Sequence, residues 1–172
     1  MLKSKLLEKA KKQFAELDKL KVEVGVLENT RPYKDSDISV VEVATIHEFG
    51  TEKIQPRSFL RVPIRDHQKA IIEKAVKEKY RLFISGEISA KEFLAYIGEE
   101  AVTWSKEAFD TQGFGSWPEY KQSTLEKKYY EGYLITREKI GNAVKYTNND
   151  AAKLLRVTGN LANSITYQVV KK

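Results

Sequence analysis

The stretch that decides the fold is ISGEISAKEF, residues 84–93, where one long helix ends and another begins. Gly86 follows a helical apolar pattern, and glycine readily takes the left-handed conformation that terminates a helix. Ser89 and Glu92 then have the spacing of a capping box, which marks a helix start. The sequence therefore predicts two long antiparallel helices, over residues 64–85 and 89–109.

Outside this helical pair, β-branched residues alternate with polar ones at the period of a half-buried strand. The predicted strands cover residues 22–26, 40–45 and 165–170. Alternating valines need one covered face, and helical stripes need a flat apolar surface. We therefore predict an α+β fold in which a small, mainly antiparallel sheet packs against the two long helices. An amphipathic helix within residues 1–21 precedes it, and a single domain spans residues 1–172.

Two loops are expected to have particular roles. Residues 50–61 combine a flexible glycine and charged residues with Phe59 and Leu60, the composition of a projecting loop with an apolar tip. The alternative is that Phe59 and Leu60 fill the core of their own subunit. Residues 110–122 contain glycines and a proline, and we expect Trp117 to anchor them, because burial strongly stabilises an indole ring.

The composition excludes several kinds of chemistry. The chain has no cysteine, which removes thiolate zinc sites, cysteine nucleophiles and disulfides. His47-Glu48 begins like a zincin helix, but Thr51 stands where the second histidine would be required. The sequence also lacks a Walker-type phosphate loop and the glycine-flanked serine of a nucleophile elbow. We therefore expect no catalytic residue, no cofactor, no metal site and no enzymatic activity.

The charge is basic and uneven. Lysine and arginine total 30 against 24 acidic residues, giving a formal charge of +6. The first 21 residues carry seven of the lysines and three acidic residues. Such a surplus can attract nucleic acid or an acidic partner, although a solvated helix face is the commoner explanation. The sequence has neither a long apolar run nor a signal-peptide core, so we expect a cytoplasmic protein without a membrane partner.

Two further segments resemble a known family. The first is ATIHEFGT (residues 44–51) followed by IQPRSFLR (residues 54–61). It is similar to the H-E-F-G-T … P-x-R-x-F-L-R signature of the neck, tail-completion and virion-morphogenesis proteins of long-tailed bacteriophages. The second resembles their later signature, and comprises FGSWP (residues 114–118), Ser123-Thr124, Leu154-Leu155 and TGNLANSI (residues 158–165). Family members often have proline where Ser58 stands here.

This resemblance implies a structural subunit that assembles into a ring around the DNA path, where phage head and tail join. Its partners would be copies of itself and neighbouring head-connector, tail-tube or terminator proteins, and it would reside in the virion. The resemblance leaves open which of the neck roles applies. The candidate subunit-interface residues are His47, Glu48, Phe49, Arg57, Phe59 and Leu60.

Arg57, Arg61 and Arg65 recur every four residues, and guanidinium groups are seldom buried without partners. We expect them to face solvent, a neighbour's carboxylates, or a lumen with weak non-specific DNA contact. An intramolecular ion pair with Asp66 or Glu73 is the alternative. A second hypothesis for function is a DNA-binding phage accessory protein that uses these arginines and the basic N-terminal helix. A third, a phage hydrolase, would need a site that the sequence does not reveal.

Overall fold

The computed structural model describes residues 2–26, 38–133, 135–148 and 159–172. Helices and antiparallel strands give the α+β class that the sequence predicts. In chain order the elements are α1 (Leu2–Leu17), β1 (Leu20–Val26), α2 (Val40–Phe49), α3 (Arg61–Asp66), α4 (Gln68–Ser85), α5 (Ala90–Asp110), α6 (Gln122–Tyr130), β2 (Ile135–Ile140), β3 (Ala143–Asn148), α7 (Asn160–Asn163) and β4 (Ile165–Lys171).

The chain groups into two compact units, each assembled from separated pieces of sequence. Unit 1 comprises Met1–Asn29, Leu60–Lys106 and Ile165–Lys172. Unit 2 comprises Thr30–Phe59 and Glu107–Ser164. Of the two loops that the sequence analysis singled out, residues 50–59 and 110–122 fall in unit 2, and the two long helices lie mainly in unit 1.

The junction between α4 and α5 forms as predicted. Gly86 adopts the left-handed conformation at φ 74° and ψ 20°, and it ends α4. Ser89 and Glu92 make the capping box, in which the Ser89 amide donates to the Glu92 carboxylate at 2.7 Å and the Glu92 amide donates to Ser89 Oγ at 3.1 Å. Further along the pair, the rings of Phe83 and Phe93 stack at 4.9 Å between centroids. The two helices are therefore antiparallel.

The predicted helix over residues 64–85 is interrupted at His67, where α3 ends and α4 begins. His67 has φ −106° and ψ 10°, outside the helical region. Its ring stacks on Trp104 at 3.9 Å, and its Nδ1 lies 2.9 Å from the carbonyl oxygen of Pro63. The His67 amide donates to the Pro63 oxygen at 3.0 Å and the Ile71 amide donates to the His67 oxygen at 3.0 Å, so helical hydrogen bonding continues across the break.

Two of the three predicted strands pair with each other. β1 and β4 run antiparallel, from Leu20 opposite Lys171 to Val26 opposite Ile165. α5 approaches this sheet at Gly98, where an added Cβ would lie 2.5 Å from Cδ2 of Tyr167. α1 contacts α4, and the Phe14 ring meets the Phe83 ring edge-on at 5.3 Å. The core of unit 1 thus lies between the helices and one face of this sheet.

The third predicted strand, residues 40–45, is wrong, because these residues lie in α2. Ser39 caps the helix: its Oγ accepts the Glu42 amide at 3.1 Å, and its own amide donates to the Glu42 carboxylate at 2.8 Å. Val40, Ala44 and Glu48 are buried four residues apart, which is the spacing of one helical face. The capping box and this packing outweigh the strand preference of the valines.

Unit 2 also contains a β-hairpin that the sequence analysis did not predict. β2 and β3 pair antiparallel and pack against α6 around Leu125, Ile135 and Tyr146. The Gln122 side-chain amide bonds both backbone groups of Tyr146, accepting from its nitrogen at 2.8 Å and donating to its oxygen at 2.9 Å. This side chain therefore fixes the start of α6 against the hairpin.

Candidate functional site

The first signature segment runs from the end of α2 into a tight turn. Gly50 ends the helix at φ 76°, and an added Cβ there would lie 2.8 Å from the carbonyl oxygen of Ile54. Glycine is therefore required by both conformation and space. Thr51 closes the turn, since its amide donates to the Ile54 oxygen at 2.8 Å and its hydroxyl accepts the Ile54 amide at 3.1 Å. Residues 51–56 of this turn are exposed, as expected for a projecting loop.

The turn brings the chain back onto the end of α2. The Arg57 amide donates to the carbonyl oxygen of His47 at 2.7 Å. The Glu48 carboxylate, 5% exposed, accepts the Ser58 hydroxyl at 2.5 Å and the Phe59 amide at 3.0 Å. Glu48 therefore holds its own chain together and is not available as a subunit contact.

Arg57 connects the first signature segment to the second. Its Nε and Nη2 donate to the carbonyl oxygen of Pro118 at 3.0 and 2.7 Å, and Nη2 also donates to that of Glu119 at 3.2 Å. The guanidinium lies over the Tyr120 ring, 4.9 Å from its centroid. Arg57 is 5% exposed, so the prediction that it faces solvent, a neighbour or a DNA-conducting lumen is wrong. Backbone carbonyls supply the partners that allow its burial.

Trp117 makes the second connection, and its predicted burial is confirmed at 8% exposure. Its Nε1 donates to the carbonyl oxygen of Ser58 at 3.0 Å. Its ring meets Phe109 edge-on at 5.6 Å, and Phe109 in turn packs against Phe59 at 5.1 Å. Phe59 is fully buried, so it fills the core of its own unit and is not the apolar tip of a subunit contact.

The loop that carries Trp117 has an unusual backbone. Residues 112–115 all have positive φ, including the non-glycine residues Gln112 at 53° and Phe114 at 55°. Non-glycine residues in this conformation cost about 1 kcal/mol or more each. Gly113 is required, because an added Cβ would lie 2.1 Å from Cδ1 of Trp117. Burial of the indole offsets the strain in this loop.

We call this arrangement the signature junction, comprising His47, Glu48, Arg57, Ser58, Phe59 and Trp117. Its acidic and basic side chains, Glu48 and Arg57, form hydrogen bonds with groups of the same unit, so these contacts stabilise the fold of that unit. His47 differs, because its Nδ1 is buried and makes no hydrogen bond. Burial, and then the positive charges of Arg57 and Lys128, lower the pKa of the His47 imidazole from 6.5 to about 4.

Sequence reasoning missed Lys128 and the two tyrosine rings beside it. The ammonium group of Lys128 lies 5.1 Å from the ring centroid of Tyr120 and 4.5 Å from that of Tyr133. Burial lowers its pKa. The available signal was a local richness in lysine and tyrosine around α6, without the spacing of a motif. The charge that Lys128 contributes near His47 follows from the fold alone.

The other predicted site residues are Phe49, Leu60, Arg61 and Arg65. Phe49, at the end of α2, is 63% exposed. In unit 1, Leu60 is partly buried, and Arg61 and Arg65 are exposed. Arg65 forms an ion pair with Asp66 at 2.8 Å, the intramolecular alternative that the sequence left open. The part of the second signature at residues 149–158 lies outside the described residues.

The described residues bring together no group of three His, Cys, Asp or Glu side chains that could hold a metal ion. A membrane-spanning helix needs roughly 20 mostly apolar residues, and none of the helices within residues 2–26, 38–133, 135–148 and 159–172 meets that requirement.

Compared with known proteins, the chain matches no protein-family model, no curated protein and no solved structure.

Proposed function

We propose that this chain is a non-catalytic structural subunit of the neck or tail-completion ring of a long-tailed bacteriophage. Its two signature segments resemble those of that family. The observation that carries the proposal is that these segments, some 60 residues apart, meet through Arg57 and Trp117 in one unit. The contacts give a physical reason for the arginine, the glycine and the tryptophan that the signatures contain.

Burial separates four of the six candidate interface residues, and the other two, His47 and Leu60, are partly buried. Glu48, Arg57 and Phe59 are buried and stabilise the fold of unit 2, so we leave them out of the proposed interface. Phe49 remains at 63% exposure, and Ile54 in the adjacent turn is 38% exposed. A neighbouring subunit that covered these two side chains would remove apolar surface from water, the usual driving force for association. We therefore place the ring contact at Phe49 and Ile54.

A nonsense codon in the gene tests the proposed role directly. Under this proposal, DNA-filled heads and unattached tails accumulate separately, and the protein supplied from a plasmid restores joined particles in electron micrographs. Normal joined particles without the protein would overturn the proposal. Particles that lack one component altogether would do so as well, because a joining subunit acts after head and tail are built.

The ring contact has its own test, with a matched control. Phe49→Ser should reduce the yield of joined particles while leaving the melting temperature of the isolated subunit unchanged, because the side chain is already exposed. Ile140→Ser removes a similarly exposed apolar side chain, 54% exposed in β2, and should restore particles as the natural chain does. Equal yields from the two variants would refute the placement of the contact at Phe49.

A further inference from the structure

Three distant parts of unit 1 bring lysines together around two neighbouring cavities. The larger cavity, about 460 Å³, is lined by Lys19, Lys91, Lys171 and Lys172 together with Glu16, Leu20 and Ser89. The smaller, about 210 Å³, is lined by Lys9 and Lys12 and shares Glu16 with the first. We call these two cavities the lysine cleft. It contains six ammonium groups and one carboxylate.

Two hydrogen bonds between distant parts of the chain fix the shape of the cleft. The Lys172 amide donates to the carbonyl oxygen of Lys19 at 2.9 Å, which joins the end of β4 to the turn after α1. The Gln13 side chain donates to the carbonyl oxygen of Ile88 at 3.0 Å, which joins α1 to the start of α5. The lysines themselves are exposed, and among the described residues none of the six forms an ion pair with a carboxylate. The positive charge of the cleft is thus available to a ligand.

We propose that the lysine cleft binds the phosphate backbone of duplex DNA without sequence preference. Lysine is a flexible point charge, suited to phosphates whose positions vary along the duplex. A protein partner would need several large apolar or aromatic anchors, and the described residues that line the cleft offer one large apolar side chain, Leu20, and no aromatic side chain. The same composition offers no stacking platform for the bases of a single strand.

This surface includes lysines of the basic N-terminal helix that the second hypothesis invoked, but its lining includes none of Arg57, Arg61 and Arg65. The sequence showed the lysines of α1, but their convergence with Lys91, Lys171 and Lys172 depends on the folded chain. The inference does not depend on ring assembly, because the cleft lies within one unit of one chain. Its failure would leave the proposed role in the neck untouched, and the reverse also holds.

The test measures fluorescence anisotropy of a labelled duplex of about 20 base pairs with the purified full chain, over roughly 50–200 mM salt. With four to six phosphate contacts, the logarithm of the association constant should fall against the logarithm of salt with a slope of about −4 to −5. The triple variant Lys91→Gln, Lys171→Gln and Lys172→Gln should bind roughly tenfold or more weakly, and its slope should shrink by about 2–3.

The matched control removes three positive charges from the exposed face of α4, with Lys69→Gln, Lys77→Gln and Arg81→Gln. It should bind within about threefold of the natural chain, since only long-range charge is lost. Equal losses in both triple variants would overturn the proposal, because net charge alone would then explain binding. Three other results would overturn the proposal: no binding of the duplex at low salt, tighter binding of single-stranded than of duplex DNA, or displacement of the duplex only by an acidic peptide.

Discussion

Acidification should destabilise the fold through His47. The buried Nδ1 of this imidazole has no hydrogen-bond partner, and the pKa of the group falls from 6.5 to about 4. The largest cause is burial, followed by the positive charges of Arg57 and Lys128. Folding therefore favours the neutral imidazole, whereas the unfolded chain binds a proton at its ordinary pKa.

The sign and the size of the effect follow from this difference. Because the unfolded state binds the proton more tightly, the free energy of unfolding is highest above pH 6.5 and declines as the pH falls towards about 4. The difference between the two pKa values of His47 corresponds to a change of roughly 3 kcal/mol in the free energy of unfolding, at about 1.4 kcal/mol per pH unit. His47 is only partly buried, so solvent screening reduces the expected contribution to about 2 kcal/mol.

The test is urea denaturation of the natural chain and of His47→Gln, repeated between about pH 7 and pH 4. Carboxylates titrate in the same range in both proteins, so the difference between the two pH profiles isolates the contribution of His47. The natural chain should lose about 2 kcal/mol relative to the variant as the pH falls. His67→Gln, which removes the other imidazole, should retain the loss due to His47. Parallel pH profiles for the natural chain and His47→Gln would refute the reasoning, as would an NMR titration of His47 near pH 6.5.

Three further substitutions probe the packing, each measured by urea denaturation. Gly98→Ala should cost about 1–3 kcal/mol, because its Cβ would meet a tyrosine ring of β4 at 2.5 Å. Gly25→Ala has open space around its Cβ and should be neutral or stabilising. Equal effects of the two substitutions would contradict this reasoning. Trp117→Ala should cost about 3–5 kcal/mol and expose its loop to protease, and unchanged proteolysis would count against an anchoring role. Ser89→Ala should cost about 1 kcal/mol, and no loss would mean that the capping box contributes little.

Local sequence was sufficient at the junction between α4 and α5, where short-range interactions fix the backbone. Gly86 and the Ser89 capping box defined the turn between α4 and α5, because each acts within a few residues of itself. The β-branched and aromatic residues of the segment 165–170 identified β4, because such side chains favour strands. The α+β class follows from these elements. The buried position of Trp117 also followed from its sequence, as a large apolar ring in a loop with few other contacts.

The tertiary structure decided the features that depend on partners distant in sequence. The valines of residues 40–45 favour a strand locally, yet burial of Val40, Ala44 and Glu48 on one face stabilises a helix. Arg57 was expected at the surface because an unpartnered guanidinium is costly to bury. The carbonyl oxygens of Pro118 and Glu119 remove that cost, and nothing in the spacing of the signature residues predicts these two hydrogen-bond acceptors. Desolvation and hydrogen-bond satisfaction are properties of the folded surroundings, so they determined which signature residues are internal and which remain exposed.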